Sequence, residues 1–404
     1  MPLFLRVFLP FSIGYLLSFL IRVINAVAGE PIAEEFALSP GELGLLTSLF
    51  FLAFACTQLP NGILIDRFGP RRVQGTLLLV AGTGTLLFAT AGSFWWLGVG
   101  RLLMGFGTAT CLTASFAAYR LWFGPDRLPM INGLHMSVGG IGAFIGGAPT
   151  EALITAFGWR SIFFVLGIGL FVLAFVTLFV VPRHDTAAAP APTRVLLREL
   201  RSILVSRPFW RLCPLSTAVQ AISLSVSGLW AGPWLRDAAG VAPATAAIWL
   251  SVIGIALMLG FLSFGWLGQR AARRGVSIER VFVLGCFGFL VVQILMIVVP
   301  PTLTAPLWLL YVFFGSVGVL AFVVGSSSFS PSAAGRLNTA LNFFVFVAAF
   351  LVQWLFGELL DFFPADHGGA SAAGYRTAFA ILCAIQALSF IPILVIRRPE
   401  TQGS

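Results

Sequence analysis

Long runs of apolar residues follow one another along the chain, separated by short polar segments. Each run holds about 20 residues, the length that a helix needs to cross the hydrocarbon core of a bilayer. Helices satisfy their own backbone hydrogen bonds in lipid, and the short alternating segments of a β-barrel do not occur here. The pattern predicts transmembrane helices 1 to 12 at residues 7–27, 43–62, 74–92, 95–118, 131–155, 160–181, 210–232, 245–268, 280–299, 305–327, 338–360 and 375–396.

The composition agrees with this pattern. Of the 404 residues, 58% are hydrophobic and 10% are charged, whereas soluble domains carry roughly 25% charged residues. All five cysteines fall inside apolar runs without metal-ligand spacing, so we interpret them as small buried side chains. We therefore expect an all-α membrane protein that uses no cofactor.

The net charge of +9 comes from arginine, because the chain contains no lysine. With a cytoplasmic N-terminus, Arg160, Arg236 and Arg376 lie in outer loops, and the other loop arginines lie in cytoplasmic loops. This is the positive-inside bias of membrane proteins. It predicts a bacterial inner-membrane protein with both termini in the cytoplasm, and it gives no indication of nucleic-acid binding.

The longest polar stretch separates six predicted helices from six others. We expect an N-terminal six-helix bundle over residues 1–182, a cytoplasmic linker over residues 183–208 and a C-terminal six-helix bundle over residues 209–404. After a Pro/Ala-rich tether, the leucines and isoleucine of the linker share one helical face. This spacing predicts an amphipathic helix on the inner membrane surface.

A repeated loop relates the two halves. Residues 62–72, between helices 2 and 3, contain a glycine, an aspartate four residues later, an arginine directly after it and then an arginine pair. Residues 265–274, between helices 8 and 9, repeat this spacing with glutamine in place of the aspartate. Parallel six-helix repeats are typical of secondary transporters.

The first loop resembles the signature loop of the major facilitator superfamily, whose pattern is Gly-x-x-x-Asp-Arg-x-Gly-x-Arg-Arg. The position before the arginine pair, often basic in the family, is Pro70 here. A second family motif, in helix 4, is matched by Arg101, Gly105 and Gly107, and the turn at residues 158–160 also fits. The residues that match the signature loop are Gly62, Asp66, Arg67, Gly69, Arg71 and Arg72.

The resemblance covers the whole chain. It implies two pseudo-symmetric six-helix bundles, a cavity lined by helices 1, 4, 7 and 10, and function as a monomer. It also implies that the signature loop holds the cytoplasmic side closed, with Asp66 meeting the positive N-terminal end of another helix. For Arg71 and Arg72, a role in anchoring the topology is the open alternative.

Arg22 lies inside helix 1, and an ionisable side chain at membrane depth is a candidate functional group. It lies roughly 22 Å from the cytoplasmic end of the run, and Tyr15 and Asn25 share its helical face. Helix 1 is also similar to that of family members that carry organic anions, which keep an Arg followed three residues later by Asn. The alternative is that Arg22 snorkels outward or pairs with a glutamate of the following loop.

Other polar residues in the runs are further candidates. For Arg101, substrate contact and helix pairing both stay open. Gln220 in helix 7 and Asn342 in helix 11 are candidates for substrate contact, although polar residues between membrane helices also act as glue. His135 and Glu151 are the candidates for carrying a coupling proton, with a packing role as the alternative for His135.

No Asp or Glu falls in the middle of a predicted helix. A cavity with a buried arginine and no buried carboxylate attracts anions and disfavours cations. We therefore predict a secondary transporter that moves a small organic or inorganic anion by alternating access, with a coupling proton as an option. An exporter of drugs or amphipathic metabolites is the alternative. An enzyme is disfavoured because no metal cluster, nucleophile arrangement or phosphate loop occurs in the sequence.

Overall fold

The computed structural model of the chain describes residues 3–183, 193–326, 329, 331–364 and 370–396. Over these residues the chain folds into helices joined by short turns. Eleven helices are long and apolar enough to cross a membrane, and a shorter apolar helix spans Met130–Ile145. The eleven long helices and this shorter one together give twelve crossings in the described residues, as the sequence predicts.

We number the crossings α1 to α12. The first six are α1 (Phe4–Val23, continued by Asn25–Phe36), α2 (Pro40–Phe68), α3 (Pro70–Ala89), α4 (Phe94–Trp122), α5 (Leu128–Ile145, continued to residue 157) and α6 (residues 159–179). The linker helix is Thr193–Leu204. The last six are α7 (Arg207–Ala238), α8 (Pro243–Arg273), α9 (Ile278–Val298), α10 (Leu307–Ser326), α11 (Pro331–Asp361) and α12 (Ala372–Val395).

Gly158 reverses the chain between α5 and α6. It has φ 76° and ψ 155°, a conformation that suits glycine because it has no Cβ. Before the turn, Ala148 lies beside Ser251 of α8. After it, Phe171 and Leu178 pack in turn along α3, at Gly82 and Gly75. The continuous helical stretch Ala148–Phe179 therefore belongs to two crossings.

The first six and last six crossings meet mainly where α2 packs on α11 and α5 packs on α8, and α1 also contacts α7. The linker helix forms where the pattern predicts it. Its Ile203 is buried against the protein, and Glu199 pairs with Arg336 at the start of α11. Part of the apolar face that the sequence assigns to the membrane surface therefore docks on α11.

Corresponding crossings of the two sets, α1 with α7 and α4 with α10, are interrupted near their middles. Helix α1 breaks at Ile24, α4 at residues 109–110, α7 has a π-helical turn at Val226–Trp230, and α10 has a 3-10 turn at Ser316–Gly318. Irregular backbone at membrane depth is tolerated where protein buries it or where it lines a cavity. The breaks occur in corresponding helices of the two sets, and they lie around the middle of the molecule.

Side chains satisfy the backbone at the break in α4. The Ser18 hydroxyl donates to the Thr108 carbonyl over 3.5 Å, and the Asn61 amide donates to the Ala109 carbonyl over 3.3 Å. Helices α1 and α2 are thereby tied to the interruption in α4. This fixes the position of α1 just before Arg22.

Candidate functional site

Arg22 lies in a cage of four phenylalanine rings, which we call the phenyl cage. The guanidinium carbon lies 5.0 Å from the ring centroid of Phe54, 5.1 Å from Phe19, 5.5 Å from Phe346 and 6.0 Å from Phe50. An arginine over an aromatic face gains about 0.5–2 kcal/mol. Phe346 belongs to α11, so the cage contains side chains of both sets of helices.

The phenyl cage lies at mid-depth. Phe54 is at the middle of α2 and Phe346 is at the middle of α11, and their ring centroids are 4.2 Å apart. The cage therefore closes the interface between the two sets of helices at the level where Arg22 is held.

Arg22 has no counter-charge in the part of the chain that the structure describes, because none of the ion pairs there includes it. Of the three glutamates that the sequence offers as alternative partners, Glu30 pairs with Arg236 and Glu35 with Arg160, and Glu34 is exposed. The Nε atom of Arg22 is buried without a hydrogen-bond partner among the described residues. Burying an unpaired charge is costly, so an anion bound at this guanidinium would relieve that cost.

Tyr15 connects the neighbourhood of Arg22 to a second polar cluster. Its ring stacks on His135 at 4.6 Å, and its hydroxyl lies within electrostatic range of Arg22. The Nδ1 atom of His135 lies 2.9 Å from the Tyr119 hydroxyl and 3.1 Å from the Ser12 hydroxyl. His135 is fully buried among α1, α4 and α5, and this geometry supports the packing role that the sequence left open.

Arg101 is buried inside the first six helices. Its guanidinium carbon lies 4.7 Å from the Phe88 ring centroid and 5.7 Å from that of Phe163, and its Nη1 donates to the Ile21 carbonyl over 3.3 Å. The structure does not bring this side chain into the phenyl cage. Arg101 instead holds the α1 backbone at the residue before Arg22.

The remaining predicted residues lie at different distances from the cage. Asn25 is buried one turn after Arg22, and its Oδ1 has no partner among the residues described. Asn342 lies one turn from Phe346 on the same face of α11 and is partly exposed. Gln220 donates to the Ser216 hydroxyl over 2.9 Å and packs on α10. These contacts fit a residue that holds helices together. Glu151 is partly exposed in the second part of α5.

The four phenylalanines of the phenyl cage are not among the site residues that the sequence predicts. Phe50 and Phe54 are four residues apart, and Phe19 is three residues before Arg22, so all follow helical spacing. This spacing is the one signal that points to them, and it is common in a chain with 40 phenylalanines.

Two faces of the molecule differ in how the sets of helices meet. We call the face that carries the linker helix and the signature loop the linker side, and the opposite face the far side. On the far side, Arg236 of α7 pairs with Glu30 of α1 at 2.9 Å. The Asp361 carboxylate of α11 accepts from the Ser39 hydroxyl and from the Gly41 backbone N–H, each at 3.0 Å. These bonds join the two sets of helices on the far side.

Glycines allow the helices of the two sets to approach each other closely on the far side. Gly44 of α2, Gly232 of α7 and Gly357 of α11 each face the backbone of the opposite set, and a Cβ on any of them would collide with it. Small residues let membrane helices approach closely. The far side is therefore closed by backbone packing as well as by polar contacts.

The linker side differs in each of these respects. Asp66 and Arg67 of the signature loop are exposed, and a Cβ on Gly62 would meet nothing within 4 Å. Arg71 donates to the Val181 carbonyl over 3.3 Å, which is a contact within the first six helices. Gly69 has φ 78° at the end of α2, so its glycine serves the turn. Among the described residues, the two sets are joined on the far side and apart at the signature loop.

Two sets of six helices with a charged residue caged between them define a polytopic membrane protein. The sequence model of the Major Facilitator Superfamily matches residues 11–353, and the chain belongs to this family. It is therefore a multi-pass membrane protein of a family of transporters, which are not enzymes.

Named relatives match parts of the chain. "Probable sulfoacetate transporter SauU" of Cupriavidus necator is 32% identical over 153 residues, 38% of this chain and 36% of that protein. "Probable nitrate/nitrite antiporter NarK1" of Thermus thermophilus is 30% identical over 216 residues, 50% of this chain and 48% of that protein. The chain thus spans between a third and a half of these two relatives. "Niacin transporter NiaP" of Acinetobacter baylyi is 23% identical over 396 residues, 95% of this chain and 84% of that protein.

Solved structures match over the full length. A bacterial homologue of the human lysosomal transporter Spinster, in an inward-facing and unoccupied conformation, has a TM-score of 0.76 at 18% identity and covers 99% of this chain and 100% of its own. The D-xylose-proton symporter has a TM-score of 0.72 at 14% identity, with 100% of both chains covered. These likenesses confirm the predicted all-α fold of two six-helix bundles.

Proposed function

We propose that this transporter moves a small anion across a bacterial inner membrane, and that Arg22 binds the anionic group. The observation that carries the proposal is a guanidinium at mid-depth, between the two sets of helices, with no carboxylate beside it in the described residues. Relatives named for sulfoacetate and for nitrate and nitrite support an anionic substrate.

The proposed mechanism is alternating access between bundles at residues 1–182 and 209–404, with residues 183–208 as the linker. The arginine bias supports a cytoplasmic linker side, and the contacts that join the far side support assigning the structure to a state open to the cytoplasm. An anion bound at Arg22 contacts the first bundle directly and the second through Phe346. Binding across both bundles lets the substrate bias the equilibrium between the two states.

Closure of the cytoplasmic side is assigned to the signature loop. In the structure Asp66 is exposed, and the space beside Gly62 is open. In the opposite state we propose that this space is filled by the second bundle and that Asp66 meets a helix N-terminus there. Arg67, Arg71 and Arg72 add ion pairs or contacts with the inner leaflet.

The other predicted residues support the site in different ways. Asn25 and Asn342 offer amides near the cage, and Tyr15 offers a hydroxyl beside Arg22. Arg101 acts as a positioning residue, because it holds the α1 backbone at Ile21. Gln220 joins α7 to α10. If a proton is coupled to transport, His135 or Glu151 carries it.

The test is uptake or exchange of radiolabelled small anions by the purified protein in proteoliposomes. We expect Arg22→Gln to reduce saturable anion transport at least tenfold, because the guanidinium is the charge that binds the anion. Arg273→Gln removes the same charge from an exposed position at the end of α8 and serves as the matched control. Unchanged transport by a folded Arg22→Gln variant would show that the anion binds elsewhere.

A further inference from the structure

The chemistry of the phenyl cage narrows the class of anion, on the condition that Arg22 is the anion site proposed above. The cage offers one positive charge and four phenyl rings, contributed by α1, α2 and α11. We infer that the preferred substrate is a monovalent anion with a flat apolar body, of which an aromatic monocarboxylate is the simplest form.

The charge of the cage sets the valence of the substrate. Arg22 is the cation that the four rings surround, whereas Arg101 is bound to the Ile21 carbonyl inside the first bundle. A monoanion therefore neutralises the site. A dianion would leave its second charge among phenyl rings without a partner, and an unpaired charge in an apolar region is strongly unfavourable.

The unpartnered edge of Arg22 sets the position of the anionic group. Phenyl rings cover the faces of the guanidinium, but Nε has no hydrogen-bond partner among the described residues. The N–H groups of an arginine lie in its plane and suit the two oxygens of a carboxylate. The carboxylate would therefore approach in the guanidinium plane, at the edge that the rings leave without a partner.

The rings set the shape of the substrate body. Phe54 and Phe346 lie with centroids 4.2 Å apart, so these two rings contact each other and a substrate would pack on the ring surfaces that remain free. Aromatic rings stack or meet edge to face in such surroundings and gain more than buried area alone provides. A saturated ring of similar size is thicker and lacks these contacts, so it should bind less well.

The experiment compares four probes against the reconstituted protein: benzoate, cyclohexanecarboxylate, phthalate and benzamide. Cyclohexanecarboxylate differs from benzoate in flatness, phthalate differs in valence, and benzamide differs in having no charge. We expect benzoate to raise the thermal midpoint and to be transported, with cyclohexanecarboxylate and phthalate at least tenfold weaker as competitors and benzamide inactive. Equal potency of benzoate and cyclohexanecarboxylate, or stronger binding of phthalate, would overturn the inference.

A pair of substitutions in the cage adds a second readout. Phe54→Leu keeps an apolar side chain but removes the ring, and Phe175→Leu makes the same change at an exposed position of α6. The benzoate preference over cyclohexanecarboxylate should fall at least fivefold in the first variant and stay unchanged in the second. If Arg22-dependent transport of other anions occurs without any benzoate preference, the inference fails and the proposed function stands. If no anion is transported in an Arg22-dependent way, the proposed function itself fails.

Discussion

The far side and the linker side of this transporter are built from the same kinds of residue but make opposite contacts. On the far side, Gly232 and Gly357 lie against the backbone of the opposite set of helices, and Asp361 bridges the two sets. On the linker side, Gly62 and Asp66 face open space. A glycine or carboxylate in a membrane helix therefore does not show by its type whether it makes contact. Its contact depends on which conformation the two sets adopt.

The largest expected effect comes from placing a side chain in the far-side contact. Gly232→Val puts two methyl groups where the Ala26 backbone lies, so the two sets cannot pack as they do in the structure. We expect most molecules to shift to the state that is open on the far side. Distances between spin labels on the far-side ends of α1 and α7 should lengthen by several ångströms. Gly265→Val, at a position with open space around it, is the control and should leave these distances unchanged.

A smaller effect is expected from the polar bridge. Asp361→Ala removes the acceptor for the Ser39 hydroxyl and the Gly41 N–H, and each lost hydrogen bond costs about 1 kcal/mol. The population of the far-side-open state should rise by roughly tenfold or more, which labelling of a far-side cysteine by a membrane-impermeant reagent would report. Glu34→Ala is the matched control, because Glu34 is an exposed carboxylate on the same side of the molecule. Equal labelling of the two variants would contradict the assignment of Asp361 to the closed side.

The smallest effect on the stability of the protein is expected from a substitution in the signature loop. Gly62→Ala adds a methyl group where nothing lies within 4 Å, so the thermal midpoint of the linker-side-open state should change by less than about 1 °C. Transport should nevertheless slow severalfold if this space fills when the linker side closes. Gly133→Ala, which also faces open space on α5 but lies outside the signature loop, separates the two effects. Loss of stability without loss of transport would mean that Gly62 serves the fold rather than the closure.

Part of this structure could be predicted from local patterns in the sequence. The twelve crossings and the amphipathic linker helix follow from the hydrophobic runs and their spacing, because each run determines a single helix. The family follows from the signature loop and from Arg101, Gly105 and Gly107, because these residues keep fixed positions along the chain. Arg22 is recognisable as a candidate because a charge in an apolar run is costly wherever the helix packs.

Other features needed the packed molecule. From the sequence, Arg22 could pair with a glutamate. In the structure Glu30 instead pairs with Arg236, and Glu35 pairs with Arg160. Arg101 and Arg22 are both arginines within apolar runs, yet one is bound inside the first set of helices and the other lies between the sets. The partners of a residue that come from distant parts of the chain depend on helix packing, and no spacing along the chain reveals them.

The sequence by itself determined the twelve apolar helices, the membership of the major facilitator superfamily and the presence of a charge at depth. Only the tertiary structure decided that Phe54 is buried in a cage, at 6% exposure, while Phe175 is 54% exposed. The physical reason is that lipid and protein interior are both apolar, so a membrane helix has no polar face that marks its outside. A phenylalanine suits either surrounding equally well, and its role is settled by the helices that pack around it.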